Sequence, residues 1–160
     1  MIKNDHCAVS SQIKPLTPEE FHKCGDIWDM EKHADLAARF LAELRSGNRL
    51  TWVYERDGAF LGEISLVLEK NDPDYMIPGR RIYVSRLIVK PEERRKGIGK
   101  TLVNHAVAKA ADMGYSEMSI GVDIDNYPAL RLYWQAGFRE IVFVGEDADG
   151  RYFKLLRRLG

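Results

Sequence analysis

The 160-residue chain reads as an α/β (α+β) fold, a mixed and largely antiparallel sheet flanked by helices. Three observations carry that reading. Two pairs of short β-type runs are each joined by a turn holding Asp and Gly, the signature of a hairpin. Later segments place apolar residues at helical spacing between glycine and asparagine punctuation. The elements then follow one another as strand, two helices, three strands, helix, strand, helix and two strands. That order gives a central sheet of about seven strands and about four helices.

Residues 1–11 offer no pattern and are expected to be poorly structured, and Gln12–Leu16 is a short first strand. Thr17-Pro18-Glu19-Glu20 opens a helix, with Thr17 as N-cap and Pro18 at the first helical position. From Phe21 to about Arg45, Ile27, Trp28, Leu36, Phe40, Leu41 and Leu44 keep helical spacing. Two helices are expected there, broken near Asp29–His33 and stopped by Ser46-Gly47-Asn48. Leu50–Glu55 and Ala59–Leu68 form a hairpin about Arg56-Asp57-Gly58, and Asn71–Gly79 is an exposed loop. Arg81–Val89 is the fourth strand, halted by Lys90-Pro91.

Ile98, Leu102, Val103, Ala106, Val107, Ala110 and Met113 form one helical stripe, with Lys100, Asn104, His105, Lys109 and Asp112 opposite. Met118 to Ile124 alternates as a strand. Asp125-Asn126 caps a short helix that runs through Trp134 to Gly137, and Arg139–Val144 with Tyr152–Leu156 closes the chain as a hairpin. No repeat, low-complexity stretch or linker divides residues 1–160, so one domain is expected.

Bulk properties narrow the function. Lys+Arg and Asp+Glu number 24 each, which argues against nucleic-acid binding by net charge. Cys7 and Cys24 match neither a metal nor a disulfide pattern and fit a reducing compartment. No apolar run has the length of a membrane span, and the first residues lack the apolar centre of a secretory signal. A soluble cytoplasmic protein with no metal is expected. His6, His22, His33 and His105 form no cluster and are read as surface residues.

The most informative stretch is Val84–Leu102, VSRLIVKPEERRKGIGKTL. A strand enters a basic glycine turn, and the turn enters an amphipathic helix. Unpaired amides and the helix dipole make such a junction an anion site. Three templates compete for it. Gly99-Lys100-Thr101 ends like a nucleotide-binding P-loop, but Arg94 stands where that loop needs glycine. Gly97-x-Gly99 begins a dinucleotide fingerprint, but Leu102 stands where its third glycine belongs. Arg94-x-x-Gly97-x-Gly99 satisfies the third, R/Q-x-x-G-x-G/A.

With that motif, and with Asn126-x-x-Ala129-x-x-x-Tyr133-x-x-x-Gly137-Phe138 downstream, the chain resembles a GNAT-type, acetyl-CoA-dependent N-acetyltransferase. The resemblance covers most of the sequence. It implies a sheet splayed between strands 4 and 5, with a bulge in strand 4. It also implies that Arg94, Arg95, Lys96, Gly97, Ile98, Gly99 and Lys100 cradle the pyrophosphate of acetyl-CoA. Leu87, Ile88 and Val89 would pair with the pantetheine, and Asn126 would contact it from the next strand. Tyr133 is implied as general acid for the departing thiolate, and the amide near Val89 as oxyanion donor.

The general base is open. Relatives often carry a carboxylate on strand 4, where Tyr83, Ser85 and Leu87 are the inward candidates here. Glu63 is the replacement, Asp123 the second option and a water chain the third. The acceptor would be a primary amine of a small molecule or protein. The acids Asp26, Asp29, Glu31, Asp35, Glu146, Asp147 and Asp149 favour a cationic one. Many relatives pair through their C-terminal strands, which leaves a homodimer open. The alternative function is a non-catalytic acyl-CoA-binding or regulatory module. The missing strand carboxylate favours it, and Tyr133 and Asn126 oppose it.

Overall fold

The computed structural model describes residues 10–160. Seven strands run as β1 (Ser11–Pro15), β2 (Arg49–Arg56), β3 (Ala59–Val67), β4 (Arg81–Val89), β5 (Glu117–Asp123), β6 (Glu140–Asp147) and β7 (Gly150–Arg158). Three α-helices, α1 (Ala34–Ser46), α2 (Ile98–Asp112) and α3 (Tyr127–Gln135), and 3₁₀ helices at Pro18–Asp26 and Pro91–Glu93 complete the fold. The strands lie in one sheet ordered β1-β2-β3-β4-β5-β7-β6. Among the described residues only β4 and β5 pair in parallel, because α2 carries the chain back between them. The expected architecture holds.

Each face of the sheet has its own core. On one face α2 sets Ile98, Leu102, Val103 and Ala106 against Ile64, Ile82, Val84, Met118 and Ile120. On the other, Phe21, Cys24, Trp28 and Phe40 pack on Val53 and Phe60. We refer to these as the α2 face and the α1 face. β3 is buried almost throughout, as a strand covered on both sides must be. The β2–β3 turn is built as its sequence requires, with Asp57 and Gly58 both at positive φ (51° and 83°).

Four expectations need correction. The first helical segment is a 3₁₀ helix from Pro18 to Asp26 rather than an α-helix. Phe21, Cys24 and Ile27 are its buried residues and their neighbour, and their spacing of three is the 3₁₀ period. Thr17 precedes that helix but makes no side-chain cap bond. Ser10 and Ser11 are ordered: Ser11 begins β1, and Ser10 exchanges hydrogen bonds with Asp57. The rest of the stretch read as poorly structured, with Cys7 and His6, lies outside the described residues. His105 is not a plain surface residue, since its ring stands edge-on to Trp52 with centroids 5.5 Å apart.

Candidate active site

β4 and β5 form a V. Their ladder runs from Arg81 opposite Glu117 to Val84 opposite Ile120 and stops there, while both strands continue. A β-bulge in β4 coincides with the parting. Ser65 faces Arg86 but Leu66 faces Val84, so Ser85 is an extra residue on β4. The extra residue inverts the alternation. Ile82 and Val84 before it, and Leu87 and Val89 after it, all pack toward the α2 face. Tyr83 and Leu87, grouped together in the strand pattern, therefore lie on opposite faces.

Beyond the bulge one edge of β4 is free. The Lys90 amide donates 2.8 Å to the Leu61 carbonyl of β3. By strand alternation the amides and carbonyls of Leu87 and Val89 turn the other way, into the gap. At the gap's end, Arg94 Nε donates 3.2 Å to the Val89 carbonyl and folds the turn back on the strand. Arg95 and Gly97 both take positive φ, 65° and 84°, which curls successive amides toward one side ahead of α2.

The two motif glycines have different reasons. Gly97 needs its left-handed backbone and has open space around it. Gly99 has an ordinary φ, but a Cβ there would lie 3.2 Å from Leu132 Cδ2, so it lets α3 approach α2 closely. Glu93 anchors the turn from below through Arg56 at 2.6 Å and Lys96 at 3.2 Å.

One groove of about 530 Å³ joins these parts. Leu87, Ile88, Val89, Arg94, Arg95, Gly97, Ile98, Gly99, Lys100, Asn126 and Tyr133 all line it, with Pro128, Ala129 and Leu132 of α3. Of the residues expected at a coenzyme, Lys96 alone is not on the wall. Its ammonium pairs with Glu93 instead. Ile88 belongs to the α1 face yet lines the groove too, so the gap passes through the sheet. Asn126 caps α3, its Oδ1 accepting from the Ala129 amide at 3.3 Å, and reaches the groove from that position.

Tyr133 is buried, its ring edge-on to Phe138 at 6.3 Å. Burial, with Tyr83 nearby, pushes its hydroxyl up to about 12, so it stays protonated at neutral pH. A proton donor facing an anion site is chemically suited to assist a leaving thiolate.

Glu63 is elsewhere. It lies on the α1 face, 3% exposed, with Arg86 Nε donating to it at 3.1 Å. The Arg86 guanidinium in turn stacks 4.6 Å over the Trp28 ring. Cys24, free and buried beside Glu63, has its thiol pushed up by burial and by that carboxylate. Asp123 is exposed at the end of β5.

A second groove, about 760 Å³, opens on the α1 face between Pro18–Glu31 and Lys90–Glu92. Asp26, Asp29 and Glu31 line it beside Phe21, Trp28 and Met30, whereas Asp35 and the acids of the last hairpin do not. The strand pattern gave no signal of this wall, because it comes from the irregular segment before α1. Among the described residues there is no cluster of three or more His, Cys, Asp or Glu side chains placed to hold a metal. Nor is any helix among them long and apolar enough to cross a membrane.

Known proteins share this fold. The rat protein "N-acetyltransferase family 8 member 3" is 33% identical over 108 residues, 68% of this chain and 46% of the relative. The chain thus spans under half the length of that curated relative. Among solved structures, an IAA acetyltransferase from Bacillus cereus superposes with a TM-score of 0.70 at 22% identity, covering 94% of this chain and 100% of that one. The PaiA N-acetyltransferase of Thermoplasma acidophilum, solved with coenzyme A, gives 0.66 at 20% identity over 93% and 99% of the two chains. At such identities the likeness is one of fold. The acetyltransferase (GNAT) family profile matches residues 13–138, strand β1 through the end of the second motif, and the chain belongs to that family.

Proposed function

We propose that the protein transfers an acetyl group from acetyl-CoA to a primary amine by direct attack through a tetrahedral intermediate. The observation that carries this reading is the β4–β5 splay. It presents a free strand edge, an amide-rich glycine turn and a buried phenol along one groove. In this reading the pantetheine adds to the Leu87–Val89 edge as a further strand would. The pyrophosphate rests on the amides of residues 94–99 and the start of α2, with Arg95 and Lys100 at its rim. The bound coenzyme supplies the activated acetyl thioester.

The protein's own groups divide the remaining work. The Val89 amide, turned into the gap, is placed to donate to the developing oxyanion. Tyr133, neutral at working pH, donates a proton to the departing sulfur. The attacking amine must first be neutral, and an alkylamine near 10.4 is almost wholly protonated at pH 7. Glu63 is committed to Arg86 inside the sheet face, which supports a structural role for it. Proton removal is assigned to Asp123 and solvent at the open end of β5. The acid-rimmed groove beside Trp28 supports a cationic acceptor.

Intact-mass analysis of an amine panel incubated with acetyl-CoA and the protein tests the reading. A product heavier by one acetyl group supports it and names the acceptor. Coenzyme binding with no product from any amine would leave only a binding module.

A further inference from the structure

The bulge that parts β4 from β5 is held by a side chain that starts two strands away. Ser85 and Arg86 are consecutive, yet both face the α1 side, because Val84 before them and Leu87 after them both pack on the α2 side. Each of the two finds its own partner there. Arg86 has Glu63 of β3. Ser85 has Arg49 of β2, whose Nη2 donates 2.9 Å to the Ser85 hydroxyl oxygen. Since β3 lies between β2 and β4, the Arg49 side chain crosses a whole strand to make that bond.

Arg49 is itself fixed from a third element. It is 4% exposed, its Nε donates 2.8 Å to Glu43 of α1, and its guanidinium lies 3.9 Å over the Phe40 ring of the same helix. The Arg86 guanidinium stands 5.5 Å from that ring, so Phe40 backs both arginines. One planar group thus ties α1, β2 and β4 together at the extra residue of the bulge. A lysine, with a compact ammonium and no flat face, cannot reproduce it. The consequence lies further along β4. With Ser85 as the extra residue, the Lys90 amide turns to β3 and the amides of Leu87 and Val89 turn into the gap. Without it the alternation reverses: Ile88 and Lys90 would face the gap, and Val89, the oxyanion donor of the proposed reaction, would turn to β3.

We infer that Arg49 is a positioning residue for the coenzyme: by satisfying Ser85 on the α1 face, it keeps the Leu87–Val89 edge in register with the groove on the other side. This rests on the acetyl-CoA reading of that groove. Arg49 lines no part of the groove and acts only through the backbone of β4. Its work is to hold two consecutive polar residues on one covered face, where an unpartnered hydroxyl is costly and a partnered one is not.

The test is the acetyl-CoA dissociation constant of the folded full chain, read by titration calorimetry. A hydrogen bond from a charged donor shifts an equilibrium about tenfold or more. A competent edge populated tenfold less weakens binding by the same factor. Arg49→Met keeps aliphatic bulk against Phe40 but removes the donors, and should raise the dissociation constant about tenfold. Ser85→Ala, which leaves Arg49 paired with Glu43, should do the same. The double variant should lose no more than Arg49→Met alone, because both changes remove one bond. Ser85→Thr keeps the hydroxyl and should stay within about twofold of the wild type.

If Arg49→Met does not fold, Ser85→Ala against Ser85→Thr decides the matter. Unchanged affinity in Ser85→Ala, or losses that add in the double variant, overturns the positioning role and leaves the coenzyme reading intact. No acetyl-CoA binding by the wild type overturns both together.

Discussion

Gly97 and Tyr133 carry the most separable roles. Gly97 sits at φ 84° with nothing within contact distance of a Cβ, so a side chain there strains the backbone without striking a neighbour. That strain costs about 1–2 kcal/mol. Gly97→Asp adds a negative charge where a pyrophosphate is proposed to lie. It should weaken acetyl-CoA binding about a hundredfold or more, a larger loss than the strain takes from folding. Equal loss in titration calorimetry and in urea melts would make the glycine purely structural. Gly99→Val should do the reverse, costing about 1–3 kcal/mol by wedging α3 from α2 at Leu132.

Tyr133→Phe should lower kcat by about a hundredfold with the coenzyme dissociation constant unchanged. The hydroxyl's position near 12 has a pH consequence. An acid that must be protonated loses activity only as pH rises through its own value. The rate should therefore climb as the acceptor amine deprotonates, with no falling limb up to about pH 10. A bell centred near neutrality would take the acid role from Tyr133. Glu63→Gln should leave the rising limb in place, whereas a base at that position would shift it.

At the scale of elements, the V of β4 and β5 needs one end clamped for the other to stay open. Glu117 supplies the clamp. It is 2% exposed and accepts from Arg81 at 2.7 Å and Arg80 at 3.0 Å, with Arg158 of β7 at 3.3 Å. Burial pushes the Glu117 carboxyl up, but the hydrogen bonds from Arg81 and Arg80 outweigh it and hold the group below 4.5. A carboxyl lowered in the folded state stabilises fully above its unfolded value and loses that contribution as pH falls through the folded one. Glu117→Ala leaves the Arg81 guanidinium, 11% exposed, without its carboxylate partner and should cost about 1–3 kcal/mol. Followed by circular dichroism as pH falls below the ordinary carboxylate range, Glu117→Gln should lose less stability than the wild type does.

The element order was legible because punctuation is local: Asp57-Gly58, Gly97, Gly114 and Gly137 each take the positive φ that ends or turns an element. The bulge at Ser85 was not legible in the strand's own residues. Nothing in Tyr83-Val84-Ser85-Arg86-Leu87 marks an extra residue, since the mismatch exists only against β3. Plain alternation therefore groups Leu87 with Tyr83, although the two lie on opposite faces. Likewise Thr17-Pro18-Glu19-Glu20 carries α-helical start signals, and only the period of three in Phe21, Cys24 and Ile27 marks a 3₁₀ helix.

Across the whole molecule, the sheet separates two jobs. The α2 face holds the glycine turn, Asn126 and Tyr133 around one groove, all of which the two motifs had marked. The α1 face holds the acid-rimmed groove and the Glu63–Arg86 pair; the sequence marked Asp26, Asp29 and Glu31 of that groove but neither its other walls nor the pair. The difference is physical. A phosphate cradle needs glycines at fixed offsets on one continuous strand–turn–helix segment. The acid-rimmed groove gathers residues from 18–31, Leu41 and 90–92 that only the fold brings together. Glu63 reads as a free strand acid in sequence and becomes an ion-pair member once Arg86 stands beside it.

The most direct test of the coenzyme groove is a thermal melt of the full chain titrated with acetyl-CoA. A ligand that binds only the folded state stabilises it by about 2.7 kcal/mol at a hundredfold excess over its dissociation constant. For a protein of this size that is a rise of roughly 5–10 °C. The predicted result is a saturable rise of that order in the wild type, lost in Gly97→Asp. No rise at millimolar acetyl-CoA, or an equal rise in the glycine variant, would contradict it.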